Sequence, residues 1–199
     1  MIVKMGQIMQ IIGITGLPSS GKGAFSNVAK DFSFHEIVMG DVIRKEITNR
    51  GLELTRENSN QIMIELRKER GDDIVAELTL ELIEEAINQG ETKILIDGIR
   101  SLKEVEYFKD QFPNLQIIAI HANPDTRYLR SKSRQRKDDA YSRESFDKRD
   151  RIELSVGIGE VIALADILIN SPSTLEEAQV IFSEVLEEVI NVDSTPLVF

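Results

Sequence analysis

The sequence of 199 residues contains no cysteine and no tryptophan, and it has only two histidines, His35 and His121. The absence of cysteine excludes disulfides, cysteine-ligated zinc, iron–sulfur clusters and a thiol nucleophile. Two histidines argue against a histidine-rich metal site, and we expect both of them to be structural. The chemistry of this chain must therefore be carried by other residue types.

A long apolar run is also missing. The longest one near the N-terminus extends from Ile8 to Leu17 and is interrupted by Gln10 and Thr15. Such a run is too short to span a bilayer, and no signal-peptide cleavage pattern accompanies it. We therefore expect a cytoplasmic protein without a membrane partner.

Positive charge is scarce overall but locally concentrated. The chain has 24 basic and 34 acidic residues, a net charge of −10, which argues against a nucleic-acid or membrane-surface binder. Tyr128 is the single aromatic among the cations, so stacking platforms for nucleic-acid bases are not expected. A solvated helix face is the simplest interpretation when this cationic run is taken alone. Its members are Arg127, Arg130, Lys132, Arg134, Arg136 and Lys137.

Short apolar segments alternate with amphipathic, helix-length segments along the chain. A helix is expected to begin near Lys22, a long helical region at about 56–88 to break at Gly71, and a final helix to open with the capping box Ser173-x-x-Glu176. This alternation predicts an α/β fold, a three-layer α/β/α arrangement with a five-stranded parallel sheet. The predicted strands are residues 8–15, 35–40, 93–97, 116–122 and 165–170.

Residues 13–23, GITGLPSSGKG, form the clearest functional pattern. The spacing Gly16-x4-Gly21-Lys22 lies between a predicted strand and a predicted helix, which is the setting of a Walker A phosphate-binding loop. Glycines allow the backbone to curl so that N–H groups point at phosphate oxygens, and the lysine reaches the β- and γ-phosphates. We therefore predict that ATP is bound by Gly16, Leu17, Pro18, Ser19, Ser20, Gly21, Lys22 and Gly23.

Two positions of this loop depart from common versions of the motif. Gly23 stands where a metal-binding hydroxyl usually follows the lysine, but it resembles the Gly-Lys-Gly of adenylate-kinase-type nucleotide kinases. In that group the bound magnesium ion is held mostly by phosphate oxygens and waters, so a hydroxyl in the loop is not required. Ser19 stands where such kinases often have glycine, and a positive φ at a serine would cost about 1 kcal/mol or more.

Two further segments resemble those of nucleoside monophosphate kinases. MGDVIRKE (39–46) is similar to their Gly-Asp-x-x-Arg stretch, and ILIDGIRS (94–101) is similar to a strand end that reads Asp-Gly-x-x-Arg, shortened here by one residue. From about residue 8 to 189 the chain resembles an archaeal P-loop family described as adenylate-kinase-related or dephospho-CoA-kinase-related. The resemblance implies one domain over 1–199, with an acceptor-site helical region at about 41–90, a lid at about 126–151 and a loose tail at 191–199.

The resemblance also implies roles for single residues. Asp97 is expected to order the water shell of the Mg²⁺ that binds with ATP. The acceptor is expected to contact Gly40, Asp41, Arg44 and Arg100. The residues implied in catalysis are Lys22, Asp97, Arg130, Arg134 and Arg136. The adenine is expected to be bordered by Asn170, Ser171 and Ser173.

These expectations favour a kinase that moves the γ-phosphoryl group of ATP to a nucleotide-like small molecule. A dephospho-CoA kinase is an alternative, in which Asp41 would act as base toward a ribose hydroxyl. A nucleotide-binding ATPase or regulatory protein without a small acceptor is another, because the helical region at 56–88 offers a surface for a partner. The sequence leaves open the acceptor, the choice between ATP and GTP, and the oligomeric state.

Overall fold

The computed structural model describes residues 9–134 and 142–192 and shows a parallel sheet covered by helices on both faces. The strand order is β2-β3-β1-β4-β5. The strands are β1 (Gln10–Thr15), β2 (His35–Val38), β3 (Lys93–Asp97), β4 (Gln116–His121) and β5 (Ile167–Asn170). The helices are α1 (Lys22–Asp31), α2 (Gly40–Asn49), α3 (Arg56–Arg70), α4 (Ile74–Gln89), α5 (Leu102–Gln111), α6 (Pro124–Arg134), α7 (Arg143–Val156), α8 (Ile158–Ala163) and α9 (Leu175–Val192). The predicted three-layer α/β/α fold is confirmed.

Two hydrophobic clusters lie on opposite faces of the sheet. One includes Ile11 of the central strand and residues from α2 to α5 and α8, whereas the other includes Ile12 and Ile14 with residues of α1 and α9. Because β1 is buried at every position, its isoleucines pack on both faces of the sheet rather than on one. This burial explains the continuous apolar runs of the sequence.

The central position of β1 fixes where a ligand can bind. It pairs in parallel with β3 on one side and with β4 on the other. In such sheets ligands bind beyond the carboxyl ends of the strands, where neighbouring connections diverge. The hydroxyl of Thr15 donates to the carbonyl of Ile99 at 2.7 Å and joins the segments that follow β1 and β3.

Most predicted helix boundaries are confirmed. Helix α1 begins at Lys22, and Gly71 separates α3 from α4 with a φ of 107°. The predicted capping box Ser173-x-x-Glu176 is wrong by one residue, because the hydroxyl of Thr174 accepts from the backbone N–H of Glu177 at 3.2 Å. Helix α9 continues to residue 192, so the predicted tail is helical at its first two residues, and 193–199 lie outside the described residues. Among the helices that the structure describes, none is long and apolar enough to cross a membrane.

Candidate active site

The loop between β1 and α1 is curled by positive backbone angles at Gly16 (φ 146°), Ser19 (φ 65°) and Gly21 (φ 123°). A Cβ atom on Gly16 would lie 2.4 Å from the carbonyl oxygen of Ile120, and one on Gly21 would lie 2.8 Å from the hydroxyl of Ser171. Both glycines of the motif are therefore required by close packing as well as by their φ angles. A backbone curled in this way presents a concave surface that suits an anion.

The two unusual positions of the loop differ in their surroundings. Ser19 adopts the positive φ that was considered from the sequence, and its hydroxyl accepts from Arg134 Nη2 at 3.2 Å. Around Gly23, by contrast, an added Cβ atom would meet nothing within 4 Å. Packing therefore does not exclude a larger residue at Gly23, and the absence of a hydroxyl there has no steric cause.

Lys22 lies across the curled loop. Its Nζ atom donates to the carbonyl oxygen of Gly16 at 2.7 Å. Burial lowers the pKa of the Lys22 ammonium, whereas the carboxylate of Asp97 acts in the opposite direction. This is a cation held in a partly desolvated place, where its attraction for a phosphate oxygen is strengthened.

Asp97 ends β3 next to this lysine. Burial raises the pKa of its carboxyl group, and Lys22 gives the largest opposing effect. Its Oδ1 atom is buried and has no hydrogen-bond partner among the described residues, and the same holds for the hydroxyl of Ser20. Buried oxygens of this kind call for a ligand or an ordered water.

These residues fit a Mg²⁺ ion that is held mainly by a nucleotide. Within residues 9–134 and 142–192 there is no group of three or more metal-ligating side chains. Magnesium in phosphotransfer sites is typically held by one or two carboxylates, phosphate oxygens and several waters. The unpaired Oδ1 atom of Asp97 matches the carboxylate part of that set, so Asp97 is the residue that would hold the ion through its water shell.

The residues expected at the acceptor lie at the same edge of the sheet. Arg44 Nε donates to Asp41 Oδ1 at 2.7 Å, and the two side chains are 52% and 54% exposed. Arg44 also covers Gly40, where a Cβ atom would lie 3.3 Å from Nη1. Arg100 pairs with Glu153 Oε2 at 3.4 Å. Both arginine charges reach the carboxyl group of Asp97, where they favour its ionised form.

Arg130 is surrounded by protein oxygens. Its Nη1 donates to the carbonyl of Ser20 at 3.0 Å and to the hydroxyl of Ser171 at 2.9 Å, and its Nη2 donates to the carbonyl of Pro172 at 2.6 Å. Burial lowers the pKa of its guanidinium. Arg130 thereby links the phosphate-binding loop to the connection that follows β5.

The residues expected to border the adenine lie in or next to that connection. Ser171 donates its backbone N–H to the carbonyl of His121 at 2.7 Å and lies against Gly21. Asn170 and Ser173 are exposed on either side of it. The structure therefore places Ser171 directly on the phosphate-binding loop, while Arg136 of the predicted lid lies outside the described residues.

Sequence reasoning missed Arg149 and Glu153 of α7. The charge of Arg149 lowers the pKa of Lys22, and that of Glu153 raises it, so both act on the site. The two residues are one helical turn apart, which places them on one face of α7. This spacing is the signal that the sequence offers. Nothing in the sequence, however, shows that this face is turned toward Lys22.

Proteins of similar sequence show the family to which the chain belongs. The chain is 42% identical over 183 residues to a UPF0200 protein of Methanocaldococcus jannaschii, with 92% of each chain covered. It is 40% identical over 186 residues to a UPF0200 protein of Thermococcus kodakarensis, covering 91% of this chain and 98% of the relative. The profile of the AAA domain family matches residues 15–146. The chain belongs to the UPF0200 family and carries an AAA domain.

Solved structures that are similar to this UPF0200 chain show the same fold. TT1252 from Thermus thermophilus is 19% identical, with a TM-score of 0.64 over 92% of this chain and 98% of that one. A shikimate kinase from Bacteroides thetaiotaomicron is 18% identical, with a TM-score of 0.55 over 90% of this chain and 99% of that one. The UPF0200 chain therefore has a P-loop kinase-like fold, and the predicted resemblance is confirmed.

Proposed function

We propose that this UPF0200 chain is a phosphotransferase that moves the γ-phosphoryl group of ATP to a phosphate of a nucleotide-like small molecule. The observation that carries the proposal is the place of Asp97 in the sheet. It ends β3, which lies between β1, followed by the loop of Lys22, and β2, followed by the helix of Arg44. A phosphoryl group passing from one side to the other would move between the ammonium of Lys22 and the guanidinium of Arg44, and cations placed near the transferred group accelerate phosphoryl transfer.

The hydrogen bond of Lys22 supports the proposal that ATP binds at the loop. Its Nζ atom donates to the carbonyl of Gly16 within the curled loop, so the ammonium is already held where phosphate oxygens are expected. Binding of a nucleotide would replace this carbonyl by a charged acceptor, which makes a stronger hydrogen bond. The N-terminus of α1 adds a partial positive charge at the same place.

On the acceptor side, a phosphate is favoured over a hydroxyl by the ion pair of Asp41. A hydroxyl acceptor benefits from a carboxylate base, and Asp41 is the candidate for that role. Its Oδ1 atom is engaged by Arg44 in this structure, so it is not directed at a hydroxyl group. A phosphate acceptor needs no base, and the guanidinium of Arg44 is suited to it by its two parallel donors.

Magnesium, when it is bound with ATP, would neutralise charge on the transferred group. The chain itself would contribute Asp97 to orient the water shell. Arg130 would keep the loop in shape, and Arg134 would stay close to Ser19 at the rim of the site. Helix α6, which these two arginines hold against the loop, would help to exclude water as an unwanted acceptor.

The proposal is tested by incubating the protein with ATP and Mg²⁺ and a panel of nucleoside monophosphates plus dephospho-CoA, with chromatographic separation of the products. Formation of a nucleoside diphosphate is the expected result. Phosphorylation of dephospho-CoA alone would instead support the alternative with a ribose hydroxyl as acceptor. Release of ADP and free phosphate without any phosphorylated acceptor would overturn the kinase proposal and favour an ATPase or a nucleotide-dependent regulator.

A further inference from the structure

Arg127 is the first cation of the run in α6, yet its side chain is only 2% exposed. Its Nη1 and Nη2 atoms pair with the two carboxylate oxygens of Asp150 in α7, the first of them at 2.8 Å. Its Nε donates to the carbonyl of Ala122 at 3.0 Å. The guanidinium N–H groups of Arg127 are therefore engaged in hydrogen bonds within the protein.

The same guanidinium reaches the phosphate-binding loop. Arg127 Nη1 also donates to the carbonyl oxygen of Pro18 at 3.3 Å, and its Cζ lies 5.1 Å from the ring centre of Phe146. Pro18 directly precedes Ser19, the serine with positive φ. One buried side chain thus contacts the loop, the end of β4 and helix α7.

One face of helix α7 carries residues 146, 149, 150 and 153, because an α-helix turns by about 100° per residue. Phe146 and Asp150, four residues apart, contact Arg127. Arg149 and Glu153, also four residues apart, lie on the same face, and Glu153 pairs with Arg100 near Asp97. Because neighbouring residues of a helix are fixed in angle, holding Asp150 in place also fixes the direction of Arg149.

We propose that the Arg127–Asp150 pair is a positioning device, which sets α7 against the phosphate-binding loop so that Arg149 faces the terminal phosphate of the bound nucleotide. Arg127 is then not an anion ligand, although it belongs to the cationic run. The inference rests on the proposed function, because it assumes that a nucleoside triphosphate occupies the loop. The charge that Arg149 exerts on Lys22 is consistent with this placement.

The proposal predicts a specific effect on the terminal phosphate, which is tested by calorimetry with Mg²⁺ and either ADP or a β,γ-imido analogue of ATP. We expect Arg149→Met to weaken binding of the triphosphate by about tenfold, as loss of a charged hydrogen bond does, and binding of ADP by less than about twofold. Asp150→Asn should reproduce this pattern. The double variant should be no weaker than Arg149→Met, because Asp150 acts through Arg149.

Two variants on the same helix serve as controls. Asp147→Asn removes a carboxylate from an exposed pair with Arg143, and Arg151→Met removes an exposed cation. Both should leave the ratio of triphosphate to diphosphate affinity unchanged. If Asp150→Asn does not fold, Arg127→Lys takes its place, since lysine keeps the charge but cannot make the two-atom pair with the carboxylate and the bond to Pro18.

The outcomes separate this inference from the proposed function. If the wild-type protein binds neither nucleotide, the proposed function fails and the inference with it. If the wild type binds both, but Asp150→Asn weakens them equally or adds to the effect of Arg149→Met, only the positioning role is overturned. The positioning role is supported if Asp150→Asn weakens triphosphate binding but not ADP binding, and if the double variant is no weaker than Arg149→Met. An affinity ratio for Arg127→Lys between those of the wild type and Arg149→Met would agree with it.

Discussion

The two sides of the candidate site are built in different ways. On the donor side the backbone is fixed by contacts that leave no space for side chains at Gly16 and Gly21. On the acceptor side, Arg44 and Asp41 are more than half exposed on the surface of α2, and they pair with each other. The donor side thus resembles a preformed cradle, whereas the acceptor side consists of side chains whose partners can be exchanged when a ligand arrives.

This difference indicates how proteins of one fold can keep the same phosphate donor and differ in the phosphate acceptor. Backbone N–H groups recognise phosphate whatever the neighbouring side chains are, so the loop tolerates little change in shape but much change in sequence around it. Exposed side chains on a helix can be replaced at little cost in stability. Substitutions on the two sides should therefore differ in size and in the substrate they affect.

The largest effect is expected for Lys22→Met. Removal of the ammonium from the loop should lower phosphotransfer, or ATP hydrolysis if there is no acceptor, by at least about a hundredfold. Steady-state rates measured at saturating ATP test this prediction. Lys30→Met on the same helix, where the lysine is 54% exposed and pairs with Glu36, is the matched control and should keep full activity. A Lys22 variant with more than a tenth of the wild-type rate would contradict the donor assignment.

A smaller loss of activity is expected for Asp97→Asn. The amide keeps the shape of the side chain but removes the negative charge that would orient the water shell of Mg²⁺. Loss of such an outer partner of a metal ion typically costs about 10- to 100-fold in affinity or activity. Titration of activity with Mg²⁺ should show a raised requirement for the ion. An unchanged requirement would exclude Asp97 from the metal site.

The same substitution should stabilise the protein without ligand. Burial raises the pKa of Asp97 above its ordinary value of 3.8. The unfolded chain therefore releases this proton at lower pH than the folded protein, and ionisation favours unfolding. Stability from this group is fully present below about pH 3.8 and is lost as pH rises through the pKa of the folded protein. In denaturant titrations, the advantage of Asp97→Asn should thus grow from acid to neutral pH, and a constant difference would contradict this prediction.

An effect restricted to the acceptor is expected for Arg44→Ala. Loss of a charged, two-donor contact with a phosphate should raise the KM for the acceptor by about tenfold or more. The KM for ATP should stay unchanged, because Arg44 lies on α2 and not on the loop. Lys45→Ala, an exposed neighbour on the same helix, is the control. Equal changes in both KM values would show that the two sides are not separable.

The smallest effect is expected for Gly23→Ala. A Cβ atom there meets nothing within 4 Å, and the residue lies in the first turn of α1. Alanine should raise the free energy of unfolding by up to about 1 kcal/mol, because glycine loses more freedom on folding. Gly21→Ala is the contrasting variant: it has a φ of 123° and a close contact with Ser171, so it should destabilise the protein. Thermal unfolding of both variants measures the difference.

The fold and the donor side could be predicted because their signals are local. Five apolar runs, and a glycine spacing between a strand and a helix, follow from backbone geometry that neighbouring residues determine. The cap of α9 was missed by one residue, since Ser173 and Thr174 are both good capping residues and only the backbone path selects Thr174. Arg149 was missed for a different reason: which face of α7 is turned inward depends on the pair that Arg127 makes across the fold.

The hydrogen bonds of Arg130 have a further consequence. By donating to the carbonyl of Ser20, the hydroxyl of Ser171 and the carbonyl of Pro172, one guanidinium joins two parts of the chain that are distant in sequence. A substitution in the turn after β5 is then transmitted to the backbone between Ser20 and Lys22. The residues of this turn can therefore change toward a new ligand only in ways that keep the shape of a loop more than 140 positions earlier in the sequence.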